Sequence, residues 1–325
     1  MNKYFLSKKS TKLYFLYLKY IFVFACVFFL GNKILENKFD IFEILKLNYR
    51  AVLFVFLFSI IFQHLTNVRH FFLLKYSVNY FYSFLDWTKL FFYTALLNKV
   101  IFFSGHVYRA VELKNRGIAY KDYLSLTYVS FVLGTATNLL MVFLGFVIIN
   151  ERILLIFYFP LAISAIFLIY VAPRILYFFL KYILKNILIY KKKYKNIFLK
   201  IVSNMKKFFF NKKNSSIFIL LTIIIFLAEL ILFYLSCTIF LSNYNFTIIL
   251  MLFLVSLILA RVPFISNIPG LNEIIFGSIG ISMGIFFLDG ALVQLLIRIN
   301  IYLSVIFNTA LFSVLSIFDK NKFTK

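Results

Sequence analysis

Two arginines that follow glycines, one in a polar segment and one in an apolar run, are the side chains of this sequence best suited to hold an anion. Arg109 follows Gly105 by four residues, and Arg298 follows Gln294 by four residues in the last apolar run. A guanidinium offers a planar fork of N–H donors that fits a phosphate, while glycine permits close backbone approach. The four-residue spacing places Gln294 and Arg298 on one helix face. We therefore predict that Arg109, Gly105, Arg298 and Gln294 contact a phosphate-bearing ligand.

Carboxylates near these arginines offer partners, because a charge in an apolar span is expensive when it stands alone. Glu273 and Asp289 both lie within the segment that leads to Arg298. We add Glu273, with the preceding Gly270, to the predicted binding residues, while an ion pair that only fixes helix packing remains the alternative. Glu229 lies near the middle of another apolar run and is either a coupling carboxylate or a hydrogen-bonded packing residue.

Other patterns point to weaker chemistry. Asp40 and Glu43 could form the carboxylate pair of a membrane glycosyltransferase, although a solvated loop explains them as well. His106 could titrate or could be a hydrogen-bonded structural residue. The chain lacks HExxH, GxSxG and GxxxxGK[ST] motifs, and its 3 histidines are scattered. We therefore expect no catalytic residue, metal or cofactor, and favour a protein that is not an enzyme.

These residues must be positioned by membrane helices. The chain is 63% hydrophobic with a mean hydropathy of +0.94, against roughly 45–50% apolar residues in soluble domains. Its apolar runs reach about 20 residues, enough to cross a bilayer as helix. The sequence predicts an all-α polytopic integral membrane protein with about eight transmembrane helices.

Two segments are not typical of a lipid-facing transmembrane helix. Residues 78–105 carry scattered charged and amide side chains, and residues 263–290 contain two prolines and five glycines. Broken backbone at membrane depth must be buried in protein or line a wet cavity, and transporters build substrate sites this way. We predict broken or re-entrant segments here. We expect residues 104–117 to be a polar connector and residues 31–49 an outer loop.

The net charge is +24, and most of the lysines responsible for it lie in loops and at the edges of spans. This distribution indicates membrane topology rather than nucleic-acid binding. Residues 173–213 contain Arg174 and eleven lysines without any acid, which predicts a cytoplasmic loop on anionic headgroups. We divide the chain into an N-terminal membrane half (1–172), a basic loop (173–215) and a C-terminal membrane half (216–325), the two halves being alike in outline. Both termini are predicted to be cytoplasmic, in a bacterial inner membrane.

Two blocks resemble the lysylphosphatidylglycerol synthase transmembrane (flippase-type) domain family. PFISNIPGLNE at 263–273 resembles its Pro…Gly-x-x-Glu signature, and GHVYRAVELKNRG at 105–117 resembles its Gly-x-x-x-Arg connector. The matching positions are Pro263, Gly270, Glu273, Gly284 and Arg298 in the second half, with Gly105, Arg109, Arg116 and Gly117 in the first. The resemblance implies an eight-helix-scale protein that moves or handles a polar lipid. No soluble aminoacyl-transferase domain is expected, since little sequence follows the last span.

The sequence therefore favours a translocase, or an accessory protein, for a polar, phosphate-bearing lipid or lipid-linked glycan in envelope biogenesis. Its predicted partners are membrane lipids, anionic headgroups at the basic loop and a second copy of itself, with no nucleic acid. Two alternatives stay open. One is a glycosyltransferase that uses a polyprenyl-phosphate sugar, and the other is a non-transporting scaffold of an envelope-synthesis complex.

Overall fold

The computed structural model describes residues 21–78, 83–100, 104–120, 211–241, 244–260 and 268–320, with isolated positions between 122 and 145 and at 203. Both chain ends, most of the basic loop and the segment with Arg261 and Pro263 lie outside the described residues.

Every regular element in the described ranges is a helix, which confirms the predicted all-α class. Helix α1 comprises residues 21–36. The others are α2 (Lys38–Leu47), α3 (Tyr49–Val78), α4 (Phe84–Val100), α5 (Ser104–Asn115), α6 (Lys212–Phe240), α7 (Phe246–Ala260), α8 (Leu271–Ser282) and α9 (Phe287–Lys320).

Three of the described helices are long and apolar enough to cross a membrane. Their candidate spans are Tyr49–Tyr76 in α3, Lys213–Phe240 in α6 and Phe287–Leu315 in α9. Helices α7 and α8 are apolar but shorter. These spans confirm an integral membrane protein, because no other environment satisfies such lengths of apolar surface.

The chain forms two compact units. The first comprises Met1–Phe54 with Phe233–Arg298, and the second comprises Val55–Leu232 with Ile299–Lys325. In the first unit the Phe233 ring packs 5.4 Å from Phe253 and 5.8 Å from Phe276. In the second unit Trp87, Phe91 and Phe92 belong to a buried apolar cluster of α3, α4 and α5.

The proline- and glycine-rich segment is broken, as its composition predicts. Helix α8 has 12 residues, a rise of about 18 Å, which is short of the roughly 30 Å hydrocarbon thickness. The chain then turns at Met283 and Gly284 and enters α9. A Cβ on Gly277 would lie 2.6 Å from the Phe287 carbonyl oxygen. Glycine therefore allows the two arms of this hairpin to touch.

The two segments predicted to connect spans are helical. The polar connector at 104–117 is largely helix α5, and residues 31–49 include helix α2. In α5 the buried residues are Gly105, Arg109, Ala110 and Leu113. Their spacing follows one face of a helix. The charged side chains between them lower the hydropathy without preventing an amphipathic helix.

Candidate functional site

Arg109 is buried against one face of α4. Its Nε donates a hydrogen bond to Thr94 Oγ1 at 2.9 Å, and Nη2 donates to the Phe91 carbonyl at 3.4 Å and also to Thr94 Oγ1. The guanidinium carbon lies 5.4 Å from the Trp87 ring centroid and 5.2 Å from that of Phe91. Residues 87, 91 and 94 share a helix face by their spacing. Helix α4 thus presents two aromatic rings and one hydroxyl to the cation.

Gly105 makes this arrangement possible. A Cβ at this position would lie 1.8 Å from the Thr94 carbonyl oxygen, so α5 could not approach α4 with any other residue there. The Gly105 N–H donates to Asn98 Oδ1 at 2.9 Å, which satisfies one of the free donors at the start of α5. Arg109 follows one turn later and reaches Thr94. The predicted association of Gly105 with Arg109 therefore has a geometric cause.

The Arg109 charge is not balanced by an acid in the part of the chain that the structure describes. No described carboxylate lies within 4 Å of its guanidinium, and Glu112 on the same helix pairs instead with Arg116 at 2.9 Å. The Tyr123 hydroxyl also interacts electrostatically with the guanidinium. Neutral acceptors and ring faces stabilise a cation only partly. The site therefore has the electrostatic character of an anion-binding position.

Two further basic residues lie in this region. His106 precedes Arg109 on α5, and its Nδ1 lies 3.3 Å from the Tyr123 hydroxyl. Burial lowers the pKa of His106, and the Arg109 charge lowers it further. On α3, His70 lies within electrostatic range of Arg69, Arg109 and His106. His70 could not be singled out from the sequence, because basic residues such as Arg69 and His70 near the end of an apolar run are typical of a membrane boundary.

The second predicted arginine has a carboxylate partner. Arg298 Nε lies 2.9 Å from Glu273 Oε1, and the two side chains are 14% and 1% exposed. Arg298 Nη1 also donates to the Ile268 carbonyl at 3.4 Å. The carboxylate offsets the arginine charge and connects α8 to α9. Among the described ion pairs this is the buried one.

Gly270 and Glu273 shape the start of α8. The Gly270 N–H donates to Glu273 Oε2 at 3.0 Å, so one carboxylate caps the helix and also meets Arg298. Gly270 has a φ of 86°, a left-handed conformation that disfavours other residues. A Cβ there would lie 2.9 Å from Cys26 Cβ of α1. Helix α1 therefore packs directly on the break in the chain.

Gln294 lies beside the same ion pair. Its Oε1 accepts a hydrogen bond from Asn272 Nδ2 at 3.3 Å, while Asn272 Oδ1 is buried and has no hydrogen-bond partner among the described residues. Gln294 and Arg298 thus both face α8, as their spacing predicts. Asp289, the other carboxylate considered for Arg298, is half-buried in the first turn of α9. The described ion pairs do not include it.

The structure thus brings Gly270, Glu273, Gln294 and Arg298 together in the first unit, and Gly105 with Arg109 in the second. Glu229 is half-buried in α6, where its coupling role remains a prediction. Asp40 and Glu43 are exposed on α2. No cluster of metal-ligating side chains occurs in the described ranges.

Comparison with known proteins gives one match. The sequence model of a family described as "Lysylphosphatidylglycerol synthase TM region" matches residues 16–307. No curated protein and no solved structure matches the chain. The family match covers both arginine sites and most of the sequence. The chain therefore belongs to the lysylphosphatidylglycerol synthase TM region family.

Proposed function

We propose that this protein is a flippase-like translocase for a polar lipid that carries a phosphate, with a lipid-linked glycan as one form of that cargo. The observation that supports the proposal most strongly is Arg109, a buried guanidinium without a described carboxylate partner. A phosphate would supply the missing negative charge, and the guanidinium fork suits its geometry. Ring faces and a hydroxyl hold the cation in place without cancelling its charge.

Arg298 has a different part in this proposal. Its charge is offset by Glu273, so its attraction for an anion is weaker than that of Arg109. The pair, with Gln294 and the Gly270 cap, is a second polar contact for the headgroup on a broken helix. Short helices with polar ends at membrane depth are a recurring form of substrate site in transporters. In this proposal Arg298 therefore orients the headgroup through a polar contact, and Arg109 supplies the net positive charge that attracts it.

The test is a headgroup-accessibility assay in proteoliposomes of phosphatidylcholine with a trace of fluorescent phosphatidylglycerol. The wild type should make inner-leaflet probe accessible to a membrane-impermeant reductant, and Arg109→Gln should slow this at least tenfold. Arg116→Gln is the matched control, since Arg116 lies in the turn directly after α5 with 43% of its side chain exposed. Equal transport by the wild type and Arg109→Gln would refute the proposal.

A further inference from the structure

Two of the chain's 3 histidines, His70 and His106, lie within electrostatic range of Arg109. The His70 ring centroid is 5.7 Å from that of Phe91, and the Arg109 guanidinium carbon is 5.2 Å from the same ring. His106 lies three residues before Arg109 on α5 and contacts the Tyr123 hydroxyl. Helices α3, α4 and α5 therefore bring two imidazoles to the guanidinium that would hold the phosphate.

The surroundings of these imidazoles are basic. The positive charges of Arg69, Arg109 and His106 act on His70, and the Arg109 charge acts on His106. His106 Nδ1 also contacts the Tyr123 hydroxyl. Among the residues that the structure describes, none forms a hydrogen bond with the His70 ring nitrogens, and the His70 ring packs on Phe91. Like charges oppose protonation. With no anion bound, these charges therefore favour the neutral form of both imidazoles.

A bound phosphate reverses this preference. Its negative charge offsets the guanidinium, and its oxygens accept a hydrogen bond from a protonated imidazole. We propose that His70 and His106 complete the Arg109 site as proton-dependent ligands of a singly charged phosphate group, so that binding the phosphate takes up protons from water. This inference rests on the proposed function only for the identity of the ligand as a phosphate lipid.

The depth of the cluster suits a lipid headgroup. His70 lies six residues before Tyr76, where the candidate span of α3 ends. That distance is a helical rise of about 9 Å. A phosphate at the membrane–water boundary could reach this level while its acyl chains stay in the bilayer.

The direction of the pH effect follows from linkage. The bound state holds more protons than the empty state, so affinity rises as pH falls. Burial and Arg109 lower the pKa of His106 from 6.5 in the empty protein, and the anion opposes that shift. Affinity should therefore increase as pH falls from about 7.5 to 5.5, by at most about tenfold per pH unit for each coupled proton.

The protein contains a built-in probe of this site. Trp87 is the chain's single tryptophan, and its ring packs on Arg109. The experiment follows Trp87 fluorescence in phosphatidylcholine nanodiscs while phosphatidylglycerol is added at pH 7.5, 6.5 and 5.5. The phosphodiester keeps one charge over this range, so the lipid itself contributes no pH dependence.

We expect wild-type affinity to rise at least threefold between pH 7.5 and 5.5. His70→Gln and His106→Gln should each reduce this rise, and the double variant should remove it. His64→Gln is the matched control, because His64 lies on α3 and contacts Asn308 at 2.9 Å instead. A pH-independent wild type, or a double variant that keeps the full rise, would overturn the inference.

A second measurement avoids dependence on variants that fail to fold. In weakly buffered wild-type samples with a pH indicator, addition of phosphatidylglycerol should raise the pH, and no proton uptake would contradict the inference. Failure of the two proposals can be told apart. Proton-coupled binding without transport refutes the translocase alone, while transport with pH-independent binding refutes only the role of the histidines.

Discussion

The buried Arg109 and the partly buried Arg298 have opposite surroundings. Arg298, in the first unit, meets the buried carboxylate of Glu273 at 2.9 Å. Arg109, in the second unit, meets a threonine hydroxyl, a backbone carbonyl and two aromatic rings. The same residue type at membrane depth can therefore connect two helices or keep a net charge for a ligand. The difference lies in the neighbours, which sequence spacing alone does not reveal.

The largest expected effect on stability comes from breaking the Arg298 pair. Glu273→Gln removes the carboxylate from a mostly buried guanidinium and should lower the free energy of unfolding by about 3–5 kcal/mol. Steric-trapping measurements in bicelles can determine this change. A loss below about 1 kcal/mol would mean that Glu273 does not stabilise Arg298, and the contrast between the two arginines would disappear.

Gly105→Ala should have the next largest effect. The new Cβ would collide with the Thr94 carbonyl oxygen at 1.8 Å, so α5 must shift and carry Arg109 away from Thr94. Overpacking of this kind costs about 1–3 kcal/mol, and phosphatidylglycerol binding should weaken with it. Gly31→Ala is the control, since its Cβ would meet nothing within 4 Å. Equal effects of the two changes on unfolding and binding would contradict the proposed role of this close approach.

Replacing both members of the ion pair should be milder than breaking it. In Glu273→Leu with Arg298→Met no buried charge is left alone, and such exchanges are often neutral. The variant still loses the cap on the Gly270 N–H, which contributes about 1 kcal/mol. We therefore expect a loss near 1 kcal/mol in the same unfolding measurement. A loss as large as that of Glu273→Gln would show that the charges do more than neutralise each other.

The smallest effect is expected at the end of α5, in the turn that follows it. Arg116→Gln breaks an exposed pair with Glu112, and exposed i,i+4 pairs contribute about 0.3–0.5 kcal/mol. Thermal unfolding in detergent should barely change, and lipid transport should be retained. A marked loss of transport would remove the contrast between the buried Arg109 and the exposed Arg116.

Much of the architecture could be predicted from the sequence, because long apolar runs have few alternatives to membrane helices. The break at 263–290 and the proximity of Glu273 to Arg298 also follow from residue types and spacing. Helix α5 could not be predicted from hydropathy, because the charges at Glu112 and Lys114 make its sequence polar. The contact of His70 with the Arg109 site depends on how α3 packs, which local periodicity does not encode.

The central claim is that Arg109 keeps its charge for a lipid phosphate. The most direct measurement is the ¹⁵N–³¹P dipolar contact between labelled arginine side chains and phosphatidylglycerol in bilayers, read as the difference between the wild type and Arg109→Lys. The account predicts a signal assigned to Arg109 at about 4 Å, the separation that a charge-assisted N–H···O–P contact imposes. A difference spectrum without that contact, from protein that still binds the lipid, would contradict it.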